Sequence, residues 1–323
     1  MDNIFELTIV ISSYNRDDKV LLSLERLFES DLTGFTKIEV ILIDDGSPSP
    51  IEKLLGKLKP VPAKIEFKLV TQKNAGIGAT RNRGFREAKA PIVIFLDDDI
   101  LVDPDTINKI YKAQLNGPGP IQFGSYPFIS HSSESLKIFA RKLYGYDVIT
   151  EHESFEKVDA ITSGLLSVDK AKLKDVENFY KDDLRIPAAE EYEIIARFHK
   201  MAIPIYRAGH ICATHNHHLE LKWLVQQQFK YGQGTAEAYI KYADITDLER
   251  FAYLKSILDK LGKPGLKNIA KKIMISAPGR NILFFYCRCI ERLSPKRNHN
   301  FIFGILASAY FWAGYRDGLK KFS

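Results

Sequence analysis

Residues 92–99 read Ile-Val-Ile-Phe-Leu-Asp-Asp-Asp, a run of five apolar residues that ends in three aspartates. A second stretch, residues 40–47, has the same form and reads Val-Ile-Leu-Ile-Asp-Asp-Gly-Ser. Apolar runs of this kind are typical of strands that are buried on both faces of a parallel sheet. In open α/β sheets, ligands bind at the carboxyl ends of the strands. Side-by-side carboxylates at that edge suit a hard divalent cation and the phosphates it carries.

The rest of the first hundred residues alternates strand and helix. Predicted strands cover 7–11, 40–43, 65–70 and 91–96, and predicted helices cover 19–30, 51–58, 79–88 and 105–115. This alternation predicts an α/β fold, a parallel sheet with helices on both faces. Short strands and helices continue to about residue 218, and the chain beyond is almost wholly helical. Helices are predicted there over 251–261, 266–275, 281–293 and 301–319.

We therefore expect one α/β domain over 1–218 and a helical region over 219–323. The net charge of +6 is mild, and the three cysteines give no disulfide framework, so we expect a reducing, cytoplasmic setting. The acidic start of the chain is unlike a signal peptide. No segment reaches the roughly 18 to 20 apolar residues of a membrane-spanning helix.

Three further features bear on chemistry. Ser12-Ser13-Tyr14-Asn15-Arg16 follows the first strand, and its short polar side chains suit a base or ribose. The loop from Asn74 contains Gly76 and Gly78 and enters a helix that carries Arg81, but it matches neither the dinucleotide fingerprint nor the P-loop. In the acidic triplet, Asp97-x-Asp99 has a spacing that can hold Mg²⁺ or Mn²⁺ against a diphosphate.

Together these segments resemble the family 2 glycosyltransferases, which have the GT-A fold, a Rossmann-like, mixed and mostly parallel sheet flanked by helices. The resemblance covers roughly residues 5–220. It implies a catalytic domain over 1–218, with a nucleotide-sugar half at about 1–103 and an acceptor half at about 104–218. It rests on the order and spacing of four segments, which are 9–15, 43–47, 74–82 and 95–99. Each segment is a weak signal alone, whereas four in order at the ends of the right elements are highly specific.

The resemblance implies an inverting transfer with a nucleotide-sugar donor and roles for particular residues. The donor would be bound by Ser12, Tyr14, Asn15, Asp44, Asp45, Asn74, Arg81, Asp97 and Asp98. The cofactor would be Mn²⁺ or Mg²⁺, with Asp97, Asp99 and His215 as ligands and His217 as the alternative histidine. Glu191 would be the catalytic base, with Glu190 as the other candidate. Residues 162–167 would form the acceptor-side loop.

Several alternatives stay open at this point. UDP is the expected nucleotide, because a carboxylate can accept the N3–H of uracil, while dTDP and GDP remain open. The acceptor would be a glycan or a lipid-linked molecule in surface polysaccharide or glycolipid assembly. The rival functions are a sugar nucleotidyltransferase and a non-catalytic GT-A domain for binding or assembly, and nucleic acid is not an expected partner.

The helical region 219–323 carries basic residues beside apolar and aromatic ones. One interpretation is a bundle packed within the protein or a homodimer contact. The other is peripheral attachment at the inner face of the cell membrane, because basic and apolar residues together suit an anionic lipid surface.

Overall fold

The computed structural model describes residues 5–146, 149–173, 176–184, 186, 189–242 and 266–322. The helix predicted over 251–261 lies outside these described residues. The chain forms two compact units, and it passes between them several times. The first unit comprises Met1–Ile129, Tyr146–Asp183 and Phe198–His217, and the second comprises Ser130–Gly145, Leu184–Arg197 and His218–Ser323.

A mixed sheet forms the centre of the first unit. Its strands are β1 (Leu7–Ser13), β2 (Ile38–Asp44), β3 (Ile65–Thr71), β4 (Ile92–Asp97), β5 (Ile100–Val102), β6 (Ile121–Ser125), β7 (Phe128–His131), β8 (Phe155–Lys157), β9 (Leu165–Asp169) and β10 (Ile205–Leu219). The strand order is β3-β2-β1-β4-β9-β6-β10-β5, with β7 and β8 paired to β10. The first four positions are parallel, and β9 runs antiparallel between β4 and β6. The predicted fold class, an α/β sheet flanked by helices, is confirmed.

The parallel register aligns the polar ends of three strands. Every residue of β1 and β2 is buried, as the uninterrupted apolar runs predict. Ser12 pairs with Asp97 across β1 and β4, and Ser13 pairs with Asp44 across β1 and β2. The carboxyl ends of β1, β2 and β4 therefore meet at one edge of the sheet.

Helices cover both faces of this part of the sheet. They are α1 (Asp17–Phe28), α2 (Glu52–Leu55), α3 (Ile77–Glu87) and α4 (Thr106–Asn116). On one face, residues of α1 and α4 such as Leu24 and Ile107 share an apolar cluster with Ile9 of β1. On the other face, α3 lies so close to β1 that a Cβ atom on Gly84 would meet the Val10 side chain at 2.2 Å. Successive residues of β1 therefore pack on opposite faces of the sheet, Ile9 against α1 and α4 and Val10 against α3.

The second unit is built from helices. They are α5 (Glu134–Tyr144), the start of α6 (Ala189–Lys200), α7 (Leu221–Lys241), α8 (Leu266–Ile275), α9 (Ala277–Leu293) and α10 (Asn300–Phe322). A Cβ atom on Gly232 of α7 would lie 2.0 Å from the carbonyl oxygen of Phe311 in α10, so glycine permits the close approach of these helices. In the part of the chain that the structure describes, no helix is both long and apolar enough to cross a bilayer.

Candidate functional site

The end of β1 contacts the acidic triplet through serine. The hydroxyl of Ser13 donates a hydrogen bond of 2.6 Å to Oδ2 of Asp98. The neighbouring Ser12 hydroxyl is buried and has no hydrogen-bond partner among the described residues. A buried hydroxyl of this kind has an unmet need for a partner, which a polar ligand would satisfy.

Asp98 is a buried carboxyl group with an unusual acidity. Burial raises the pKa of Asp98 to about 7, while the Arg16 charge and the Ser13 hydrogen bond oppose that rise. The neighbouring carboxylates Asp99 and Asp97 raise it further. Burial disfavours the ionised form because the charge loses its hydration. With a pKa of about 7, Asp98 changes between its protonated and ionised forms near neutral pH.

Asp99 is surrounded by cationic and imidazole nitrogens. Its Oδ2 contacts the Arg16 guanidinium, lies 3.3 Å from Nζ of Lys19 and lies 3.4 Å from Nε2 of His215. Burial on its own would raise the pKa of Asp99, but the hydrogen bond and charge of His215 and the charges of Arg16 and Lys19 bring it well below its usual range. Asp99 is therefore an ionised carboxylate.

The imidazole of His215 is oriented by its strand and by aromatic rings. His215 pairs with Ile100 across β10 and β5, which brings it beside Asp99. Its ring centroid lies 4.9 Å from that of Phe128 and 6.0 Å from that of Tyr126. These contacts fix the ring so that Nε2 points at the carboxylate.

His217 is the neighbouring histidine on the same strand. Its ring centroid lies 5.7 Å from that of His215. Burial, followed by the charges of Lys19 and His215, lowers the pKa of His217 to about 4. A neutral imidazole at pH 7 follows from this shift, and a neutral ring is the form that binds a metal.

The donor atoms at Asp99 and His215 fit a divalent cation. Oδ2 and Nε2 converge at 3.4 Å, and a carboxylate with an imidazole is a donor set that Mn²⁺ accepts. No cluster of three histidine, cysteine, aspartate or glutamate side chains suited to a metal occurs among the described residues. Asp99 and His215 would hold the cation, which would supply positive charge against a diphosphate.

The two aspartates at the end of β2 hold loops of the protein. Asp44 accepts hydrogen bonds from the backbone N–H of Ser47 at 2.9 Å and of Ile51 at 3.4 Å. Asp45 accepts from the Gln72 side chain at 2.7 Å and from the backbone N–H of Ala75 and Gly76, both at 2.9 Å. Both carboxylates therefore shape the loops that border the edge of the sheet.

Three other residues predicted to bind the nucleotide-sugar donor lie on loops that follow β1 and β3. Tyr14 is 48% exposed, so its ring is accessible for stacking. Asn15 has a positive φ of 54°, and its backbone N–H donates to the Ser47 hydroxyl at 2.8 Å. Asn74 is exposed, and its backbone nitrogen would lie 2.9 Å from a Cβ atom on Gly46. Gly46 has a φ of 75°, so this tight contact between the loops requires glycine.

Arg81 and the acceptor-side loop meet at Asp97. Nη2 of Arg81 donates to Oδ1 of Asp97 at 2.7 Å, and its guanidinium lies 5.2 Å from the ring centroid of Tyr180. On the other side, a Cβ atom on Gly164 would lie 3.0 Å from Oδ2 of Asp97 and 2.9 Å from Cζ of Tyr126. Gly164 thus lets the predicted loop approach the carboxylate closely.

The two candidates for the base lie in the first turn of α6. The structure places Glu190 and Glu191 in the second unit, whereas the acidic triplet belongs to the first. Glu190 is 5% exposed and Glu191 is half-buried. The next acidic residue, Glu193, pairs with Arg197 at 2.7 Å. Glu191 is the more accessible of the two candidates.

Three residues that had no individual role in the predicted site lie beside the acidic triplet, and two of them, Ser13 and Arg16, belong to the polar segment 12–16. Ser13 binds Asp98, while Arg16 and Lys19 contact Asp99. One signal was available, because three adjacent aspartates at a buried strand end require positive charge nearby. Arg16 and Lys19, at the start of α1, are the cations closest in sequence to the end of β1.

The architecture has counterparts among solved structures. A mannosyltransferase from Pyrobaculum calidifontis, solved with GDP-Man and Mn²⁺, matches with a TM-score of 0.60 at 13% identity over 97% of this chain and 88% of that one. GalNAc-T7, solved with UDP, GalNAc and Mn²⁺, matches with a TM-score of 0.54 at 15% identity over 77% of this chain and 52% of that one. The chain has the GT-A fold.

Sequence comparisons point to one family of this class. Residues 8–164, just under half of the chain, match the model of Glycosyl transferase family 2, which supports a family 2 glycosyltransferase. The validoxylamine A glucosyltransferase of Streptomyces hygroscopicus subsp. limoneus is 29% identical over 151 residues, 45% of this chain and 28% of the relative. The undecaprenyl-phosphate 4-deoxy-4-formamido-L-arabinose transferase of Pectobacterium carotovorum is 29% identical over 117 residues, 36% of each protein. The chain thus spans only 28% and 36% of the lengths of these two relatives.

Proposed function

We propose that the protein is an inverting glycosyltransferase that moves a sugar from a nucleotide-diphosphate sugar to an acceptor hydroxyl. The observation that carries this proposal is the convergence of Asp99 Oδ2 and His215 Nε2 at 3.4 Å beside the carboxyl ends of the parallel strands. That position is where open α/β sheets bind ligands. A bound Mn²⁺ or Mg²⁺ would supply positive charge against the diphosphate.

The chain's own cations also suit a diphosphate. Arg16 and Lys19 both contact Asp99, and a donor bound there would bring its phosphate oxygens within reach of the same two side chains. Positive groups aimed at the leaving diphosphate stabilise the charge that grows as its bond to the sugar breaks. Ser12 supplies a buried hydroxyl without a partner among the described residues, which suits a hydrogen bond to the donor.

The reaction itself requires a base rather than a covalent intermediate. The acceptor oxygen attacks the anomeric carbon from the face opposite the diphosphate, the new C–O bond forms as the bond to the diphosphate breaks, and the acceptor proton passes to a carboxylate. We assign that carboxylate to Glu191, because a base must be accessible to its substrate and Glu190 is buried.

The nucleotide is the part of the donor that the geometry constrains least. The predicted uracil acceptors, Asp44 and Asp45, already accept hydrogen bonds from protein donors. One structural neighbour was solved with GDP-Man and another with UDP. We propose a UDP-sugar as the first donor to test, with GDP and dTDP sugars beside it.

The acceptor is proposed to be a glycan or a lipid-linked molecule, in surface polysaccharide or glycolipid assembly in the cytoplasm or at the inner face of the membrane. The name of one relative, an undecaprenyl-phosphate sugar transferase, supports a lipid-linked acceptor. A homodimer would also be compatible with the proposed transfer.

A donor-hydrolysis screen tests the proposal. The protein is incubated with UDP-, GDP- and dTDP-sugars in Mn²⁺ and in EDTA, and free nucleoside diphosphate is measured. We expect the protein to hydrolyse sugars of one of these three nucleotides in Mn²⁺, and we expect EDTA to abolish that hydrolysis. Binding without hydrolysis or transfer would indicate a non-catalytic domain, and nucleotide-sugar synthesis from a nucleoside triphosphate would indicate a nucleotidyltransferase. Either result would overturn the proposal.

A further inference from the structure

Helix α9 exposes large apolar side chains to solvent on the side opposite its buried residues. Ile282, Phe285, Tyr286 and Leu293 are 72%, 71%, 54% and 83% exposed. The spacings of three, four and eleven residues from Ile282 put them on one side of the helix, and we name them the outer stripe of α9. The opposite side is buried through Cys287 and Glu291.

This arrangement reverses the usual pattern of a surface helix. A helix on the outside of a soluble protein normally buries its apolar side and presents polar residues to water. A contiguous apolar surface is uncommon in soluble monomers and marks a place that binds a protein or a membrane. Phe301, at the start of α10, is 83% exposed and Ile273, near the end of α8, is 58% exposed.

The helices that carry the outer stripe are strongly basic. Residues 266–322 contain eleven lysines and arginines against two acidic residues, a net charge of +9, whereas the whole chain carries +6. Neither acidic side chain belongs to the stripe. Glu291 is buried and accepts from the Ser133 hydroxyl at 2.9 Å, and Asp317 accepts from Gln233 at 2.7 Å.

Basic residues border the outer stripe directly. Arg288 and Arg292 follow Phe285 by three and seven residues, so they lie beside it on α9. Lys296 and Arg297 are exposed just after the helix ends, and Lys271 and Lys272 are exposed on α8. The four basic residues on α9 and directly after it already fall within the range of basic clusters that bind anionic lipid headgroups.

We propose that the outer stripe of α9 lies in the headgroup region of an anionic lipid bilayer, with the helix parallel to the membrane plane. Its apolar side chains enter the boundary between headgroups and acyl chains, and the flanking arginines and lysines contact lipid phosphates. The sequence indicated the whole helical region as a candidate, and the exposed residues narrow the surface to one side of α9. This inference is independent of the sugar-transfer chemistry.

The test is co-sedimentation of the full chain with vesicles. One vesicle contains phosphatidylcholine alone, and the other contains equal parts of phosphatidylcholine and phosphatidylglycerol. The stripe variant carries Ile282→Ser with Phe285→Ser, and the charge variant carries Arg288→Gln with Arg292→Gln. The control is Leu115→Ser, which removes a leucine that is 57% exposed on α4 of the first unit. Thermal melts establish that each variant is folded.

We expect the wild-type chain and the control to bind the phosphatidylglycerol vesicles, to bind phosphatidylcholine weakly and to dissociate as salt rises. The stripe variant should bind at least about tenfold more weakly, because two side chains no longer leave water. The charge variant should also bind more weakly and lose part of its salt dependence. Equal binding by the wild-type and stripe variants, or no binding to anionic vesicles, would overturn the proposal. A wild-type dimer that the stripe variant converts to a monomer would assign the surface to a second copy instead.

Discussion

Nε2 of His215 lies 3.4 Å from Oδ2 of Asp99, although the two residues are far apart in the sequence. The contact depends on the antiparallel pairing of β10 with β5, in which His215 is opposite Ile100. A carboxylate and an imidazole brought together by backbone pairing form a rigid pair, which is what a cation site needs.

The first prediction concerns metal dependence. Asp99→Asn should lower Mn²⁺-dependent donor hydrolysis at least about a hundredfold, because the amide is neutral and binds a divalent cation poorly. His215→Ala should lower it as well and raise the Mn²⁺ concentration needed for half-maximal rate. Initial rates across a Mn²⁺ series measure both effects.

The matched control for this pair is Asp105→Asn. Asp105 is 59% exposed at its side chain and pairs with Lys109 on α4. Asp105→Asn should leave the dependence of the initial rate on Mn²⁺ concentration unchanged. Equal metal dependence in wild type, Asp99→Asn and His215→Ala would contradict the assignment.

The second prediction separates the two candidates for the base. Glu191→Gln should lower kcat for sugar transfer by about 10² to 10⁴-fold with little change in the donor KM, because it removes proton transfer and keeps the shape. Glu190→Gln should have a smaller effect on kcat and a larger one on the melting temperature, because Glu190 is buried. If Glu190→Gln instead gives the larger loss of kcat, the base is Glu190.

The third prediction concerns the close approach of Gly164 to Asp97. A methyl group at Gly164 would lie 3.0 Å from Oδ2 of Asp97, so Gly164→Ala should displace the carboxylate and reduce donor turnover. Gly56→Ala is the control, because nothing lies within 4 Å of a Cβ atom there. Steady-state rates and melting temperatures for both variants check the prediction, and full activity of Gly164→Ala would contradict it.

The sequence predicted the first half of the fold well because its signal is local. Apolar runs such as 92–96 form strands that are buried on both faces, and the observed β4 differs from the prediction by one residue at each end. The polar residues that end these runs are the ones that meet at the sheet edge. Strand propensity and burial act on the same few residues, so the pattern is sufficient.

The roles of individual carboxylates were less predictable. Asp44, Asp45 and Asp98 look alike in sequence, yet the first two bind backbone N–H groups of loops and the third binds Ser13. Which donors reach each carboxylate depends on the loop conformations around residues 46 and 76, where glycines have positive φ. Such contacts form between segments that are distant in sequence, so no local pattern reports them.

The fourth prediction concerns acid stability. The carboxylate of Glu66 accepts from Nζ of Lys37 and from Nζ of Lys89, each at 2.7 Å, and these hydrogen bonds lower the pKa of Glu66 from 4.5 to about 2. A depressed carboxylate pKa contributes stability that is present above pH 4.5 and is lost as the pH falls toward 2. Glu66→Gln should therefore lower the melting temperature at pH 6 and lose that effect at pH 2. An equal difference in melting temperature between Glu66→Gln and wild type at both pH values would contradict a stabilising role for the two ion pairs of Glu66.

The last prediction concerns the contact between α7 and α10 in the second unit. A Cβ atom on Gly314 would lie 1.9 Å from the carbonyl oxygen of Phe229, which is backbone and cannot turn aside. Gly314→Ala should therefore separate the helices and destabilise the unit by about 1 to 3 kcal/mol, although alanine favours a helix. Gly304→Ala, on the same helix, has its nearest neighbour 4.0 Å away at Phe139, so it should stabilise by up to about 1 kcal/mol. Thermal or urea unfolding of the two variants measures the difference, and equal changes in the free energy of unfolding would contradict the close packing.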